Sequence, residues 1–112
     1  ERGRFAPFGV AGGASAALNR FFWDSGTGPQ EPPMASKVTG VRLKPGQRLR
    51  LETPGGGGWG VPAARPAEHV AQDVARGFVS PEAAARDYDV VCSRDGAVDA
   101  SATALLRNGR AA

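Results

Sequence analysis

Four consecutive glycines, Gly55, Gly56, Gly57 and Gly58, followed by Trp59 and Gly60, are the residues here whose type and spacing point most directly at chemistry. Successive backbone N–H groups without side chains form an anion nest and let a ligand or another backbone come close. A P-loop, which uses such a nest for nucleotide phosphates, ends in Lys followed by Ser or Thr. Trp59-Gly60-Val61 stands there instead, so the nucleotide motif is absent. Two readings of the run stay open. It is either a loop facing substrate or phosphate that completes a partner's active site, or a tight crossing where another backbone passes close. Thr53 and Pro54 lead into it, Trp59 packs as an anchor or fixes the loop, and Lys37 is a candidate anion contact by its position before the first expected strand.

The remaining reactive side chains are sparse. His69 and Asp73 stand four apart, on one face of a predicted helix, but two ligands make a weak metal site and a surface hydrogen-bonded pair is the plainer reading. Cys92 follows Val90 and Val91 and reads as a small buried hydrophobe, with no nearby His to activate it. No catalytic residue, no metal set and no cofactor bound by this chain alone are expected.

Composition narrows the setting. The 112 residues carry 14 basic and 11 acidic side chains, a formal charge of +3, with the arginines spread along the chain rather than gathered in a block. That argues against a nucleic-acid footprint. A single Cys allows no internal disulfide and suits a reducing compartment, and no apolar run approaches the ~20 residues of a membrane span. A cytoplasmic location and no membrane partner are the expectation. With 16 Gly, 9 Pro and no Ile, apolar area is short. The chain is therefore expected to lean on a larger partner for order. Its opening on Glu1 rather than Met leads to the expectation that something preceded it.

These side chains must be held by few elements. Residues 1–35 read as an irregular, Gly/Pro-rich extended arm carrying Phe5, Phe8, Leu18, Phe21, Phe22 and Trp23, and residues 36–112 as a hairpin plus helical domain. Val41 and Leu43, then Leu49 and Leu51, alternate with charged residues on either side of Pro45-Gly46, which predicts a β-hairpin with one apolar face. Pro66 opens a helix carrying Val70 and Val74 and closed by Gly77. Ser80-Pro81-Glu82 opens a second, Val90–Cys92 and Ala97-Val98 form a small hairpin, and Asp99 caps a last helix that fades near Gly109. The fold class expected is α+β: the arm, β-hairpins and two to three short C-terminal helices, in a small accessory domain.

The stretch Ser36-Lys37-Val38-Thr39, then Val41-Arg-Leu-Lys-Pro-Gly-Gln-Arg-Leu-Arg-Leu-Glu-Thr-Pro-Gly-Gly-Gly-Gly-Trp-Gly60, resembles the C-terminal signature of hydantoinase B, a family that includes the B-type half of 5-oxoprolinase and related ketone carboxylases. His69–Ser80 and Glu82–Tyr88 look like its closing helices, and Arg4-Phe5-Ala6-Pro7-Phe8-Gly9 with Gly12-Gly13 like its approach segment. Val61-Pro62 and Ala14-Ser15-Ala16 depart from the pattern, where the family usually has Asp-Pro and often a Pro-Gly-containing loop. The resemblance implies large hydantoinase A-type and B-type subunits as partners, with ATP and a divalent metal used by the complex. It implies an accessory subunit or C-terminal fragment of an ATP-dependent cyclic-amide hydrolase of the hydantoin or 5-oxoproline type. Part of an ATP-dependent ketone carboxylase and a purely structural interaction subunit are the alternatives.

Overall fold

The computed structural model describes residues 2–34 and 36–111, and the chain divides into two compact units, residues 1–59 and 60–112. Together they are α+β, the class expected, with a small antiparallel sheet and three helices.

The first unit is built on β1 (Arg20–Asp24), β2 (Pro29–Gln30) and β3 (Arg48–Glu52), in the order β2-β1-β3 with both pairings antiparallel. β1 arises inside the segment expected to be irregular. Its aromatics are its reason: Phe21 pairs across the ladder with Leu51 and Trp23 with Leu49, the aromatic–aliphatic pairs that stabilise sheets. The β1–β2 connection is closed by Asp24, whose carboxylate accepts from the amides of Gly26 at 2.8 Å and Gly28 at 3.2 Å.

The turn expected at Pro45-Gly46 forms, but its two arms do not pair with each other. Gln47 N donates to Lys44 O at 3.1 Å and Gly46 has φ +87°, a type II turn with Pro in its second place. Such a turn splays the flanking chains, whereas hairpins favour the mirror-image turns that match strand twist. β3 therefore pairs with β1, and Val41 and Leu43 remain outside the strands. The Gln47 side chain ties the turn down, accepting from Lys44 N at 2.8 Å and donating to Ser25 O at 2.7 Å.

In the second unit a 3₁₀ turn at Pro62–Ala64 precedes α1 (Ala67–Ala75), α2 (Pro81–Tyr88) and α3 (Ala100–Ala111). The caps act as the residue types demand. Gly77 at φ +80° closes α1 in a Schellman arrangement, with Phe78 N donating to Asp73 O at 2.9 Å and Gly77 N to Val74 O at 3.0 Å. Ser80 Oγ accepts from Ala83 N at 3.1 Å, and Asp99 accepts from Ala102 N at 2.9 Å. Cys92 and Val98 form a single antiparallel bridge where the small hairpin was expected.

All buried apolar residues among those described belong to this unit: Val70, Ala71 and Val74 of α1, Ala84 of α2, Val90 and Cys92. Thr103 of α3 is buried beside them; its hydroxyl accepts from Val91 N at 3.0 Å. Asp89, 2% exposed and in the left-handed region, meets the Arg110 guanidinium at 3.1 Å. Arg110 also donates to Arg86 O at 3.1 Å, joining α3 to the end of α2.

The two units therefore differ in local stability. In the isolated chain, amides of α1 around Val70–Val74 are expected to exchange with deuterium more slowly than those of β1 and β3, because only the former lie over a buried core. Thr103→Val should cost about 1–3 kcal/mol in denaturant unfolding, since the substitution keeps the volume and orphans the Val91 amide. Equal protection across both units would contradict the assignment of the core.

Candidate functional site

β3 ends at Glu52, and Thr53-Pro54 lead straight into the glycine run. Pro54 has no amide hydrogen to continue the ladder. Gly55 then turns with φ +69°, and the chain passes along the loop Pro7–Ala16 of the same unit. Val10 N donates to Gly58 O at 2.8 Å and Gly58 N donates to Ala14 O at 2.8 Å, so one residue of the run is held on both sides. Val10 and Trp59 pair in a parallel bridge. The loop folds on itself through Gly13 N to Val10 O at 3.0 Å and Ala16 N to Pro7 O at 2.9 Å.

The run is not uniform. A β-carbon on Gly57 would overlap the carbonyl of Phe8, one on Gly13 the carbonyl of Gly58, and one on Gly9 the carbonyl of Gly13. At Gly58 it would come 3.3 Å from Ala14 N. Main chain here lies directly against main chain, which only glycine permits. Gly55 and Gly56 would meet nothing within 4 Å, so the front half of the run has space beside it. Thr53 is exposed, and Trp59 is 83% exposed. The amide of Gly58 is spent on Ala14, which removes it from any anion nest.

Lys37 is placed elsewhere in the unit. It lines a groove of about 430 Å³ with Phe21, Trp23, Leu49 and Leu51, and none of the glycine run lines that groove. The candidate residues thus fall into two places: the crossing at Gly57 and Gly58, and the groove at Lys37. Sequence reasoning did not find the groove, because it placed Phe21 and Trp23 in an irregular arm. The alternation of Phe21 and Trp23 with Arg20, Phe22 and Asp24 was the available signal. Nor did it name Gly9 and Gly13 as partners of the run, for which repeated glycines were the only cue.

In the second unit, Asp73 pairs with Arg65 at 2.7 Å rather than with His69, and His69 is exposed. Among the described residues no group of three or more His, Cys, Asp or Glu comes together as a metal would require. Cys92 sits in the buried cluster, and burial raises its thiol above the usual cysteine range. It is expected to resist a water-soluble thiol reagent at neutral pH in the folded chain and to react at the rate of a free cysteine in denaturant. Equal rates in the two states would contradict its burial.

A family model described as Hydantoinase B/oxoprolinase matches residues 1–62, which takes in the sheet and the whole glycine crossing. Over 63 residues, 56% of this chain and 11% of the relative, the sequence is 43% identical to caprolactamase subunit beta of Pseudomonas jessenii. Over 110 residues, 96% of this chain and 19% of the relative, it is 32% identical to an uncharacterized protein of Methanocaldococcus jannaschii. The chain thus spans a fifth or less of the length of these curated relatives. No solved structure matches it. No helix among the described residues is long and apolar enough to cross a membrane. With the match covering more than half of its residues, the sheet and the glycine crossing included, the chain belongs to the hydantoinase B/oxoprolinase family.

Proposed function

We propose that this chain is an accessory part of a cytoplasmic, ATP-dependent cyclic-amide hydrolase, working beside large hydantoinase A-type and B-type subunits. One observation carries the reading: a relative 43% identical over 63 residues is named as a subunit of a caprolactamase, and caprolactam is a cyclic amide. That name also favours hydrolysis over ketone carboxylation.

The chain's own residues suit a supporting role. Its glycine run is followed by Trp59-Gly60 rather than by the Lys and Ser or Thr of a P-loop, and the described residues gather no set of carboxylates for a divalent ion. On this reading, which rests on the family resemblance, ATP and metal belong to the larger subunits. The chain's contribution is to hold the segment Thr53–Trp59 in one conformation. Gly57 and Gly58 are pinned to the Phe8–Ala14 backbone, while Gly55 and Gly56 keep open space beside them on the same strand exit. A loop fixed at its back and clear at its front suits either contact with substrate or contact with a neighbouring subunit.

The test is reconstitution with hydantoinase A-type and B-type subunits and a lactam, with and without ATP. Lactam hydrolysis that requires both the chain and ATP is expected. Activity with a ketone and bicarbonate instead would move the chain to the carboxylases, and full activity without the chain would overturn the accessory role.

Two glycine variants refine it. Gly57→Ala should destabilise the first unit by about 1–3 kcal/mol, since the new methyl group must displace the Phe8 carbonyl. Gly56→Ala should fold like the parent, because its space is open and its backbone is outside the left-handed region. A Gly56→Ala complex that assembles but turns over slowly assigns the front of the loop to the active site. One that fails to assemble assigns it to the interface.

A further inference from the structure

The sheet of the first unit has two unlike faces. One carries charged side chains, two pairs of them joined: Arg20 pairs with Glu31 at 3.2 Å and lies 5.0 Å over the ring of Phe22, and Arg50 pairs with Glu52 at 2.9 Å. On the other stand Phe21 and Trp23 of β1, their ring centroids 6.2 Å apart, opposite Leu51 and Leu49 of β3. Leu49 is 61% exposed and Leu51 60%, and the groove between this face and residues 36–43 remains open. No residue described in this unit is fully buried. A small three-stranded sheet with an uncovered apolar face has little to offset the entropy of ordering it.

We propose that this face, Phe21, Trp23, Leu49 and Leu51 with Val41 and Leu43 at its margin, is the docking surface for the large remainder of a hydantoinase B-type subunit. Two observations select that occupant. The family match, residues 1–62, ends within three residues of this unit's boundary, so the unit that lacks a core is the part that the family model covers. In caprolactamase subunit beta the matching stretch is 11% of the chain, so there it is tethered to the other nine-tenths of the same polypeptide. Lys37 is the charged residue that lines the groove. The matching surface is therefore apolar at its centre, with a carboxylate to meet Lys37 at its edge. This inference rests on the reading that the chain works beside such a subunit.

The experiment uses the full 112-residue chain and caprolactamase subunit beta from which the matching stretch has been deleted. Binding is followed by calorimetry, and radical footprinting reports side-chain exposure in the unsubstituted chain. A complex is expected in which Trp23, Leu49 and Leu51 become protected while Phe78 and Leu105 of the second unit keep their labelling. Leu51→Asp should weaken it at least tenfold, and Arg50→Ala, on the opposite face, less than about threefold. Footprinting needs no variant, so misfolding of Leu51→Asp leaves the test intact. Absence of binding, protection elsewhere only, or self-association through Leu49 and Leu51 into a dimer that excludes the subunit would each overturn the proposal. Once an A-type subunit, ATP and a lactam are added, docking through this face without restored lactam hydrolysis would sink the hydrolase reading and leave the docking surface standing. Restored hydrolysis with unchanged affinity of Leu51→Asp would do the reverse.

Discussion

Where Gly57 and Gly58 pass Phe8–Ala14, two stretches of main chain touch with no side chain between them, and the first unit is arranged around that approach. Two hydrogen bonds at Gly58, one in each direction, fix the height of the crossing. Gly57, Gly13 and Gly9 supply the clearance. Because β3 leads into the run and β1 follows the loop, the crossing also brings together the two strands that pair most extensively. A β-carbon at any of the three glycines would push a carbonyl aside, and the carbonyls concerned belong to the same small stack.

The two units use different means to hold their shape. The second relies on a compact apolar cluster and on helix ends satisfied by Ser80, Asp99 and Gly77, with Arg107 donating to Arg65 O at 2.8 Å as a further tie from α3. The first relies on backbone hydrogen bonds, on turns closed by Asp24 and Gln47, and on one face of apolar side chains that it does not itself cover. Under the docking proposed above, the large neighbour supplies that cover, since burial stabilises equally whichever side of the contact supplies the second surface.

Local chemistry was legible in the sequence. The turn at Pro45-Gly46, the cap at Ser80, the stop at Gly77 and the cap at Asp99 all appear where expected, because each depends on hydrogen bonds to residues only a few positions away. The family was legible for a related reason: a hairpin-like stretch ending in Thr-Pro and four glycines is a specific string. Partner choice over longer distances was not. Alternation around Pro45-Gly46 suggested that its own flanks would pair, yet the type II geometry turns them apart and β3 takes β1. His69 and Asp73 share a helical spacing, but Arg65 offers Asp73 a full charge at 2.7 Å and wins.

The sequence by itself thus determined the turn at Pro45-Gly46, the helix signals at Gly77, Ser80 and Asp99, and which family the chain joins. Only the tertiary structure decided that the glycine run is two things: a rear half, Gly57 and Gly58, locked against Phe8–Ala14, and a front half, Gly55 and Gly56, with clear space. Four identical residues carry no label for this division. It depends on which backbone passes behind each one, and that is set by the pairing of strands distant in sequence, a property no local pattern of residues encodes.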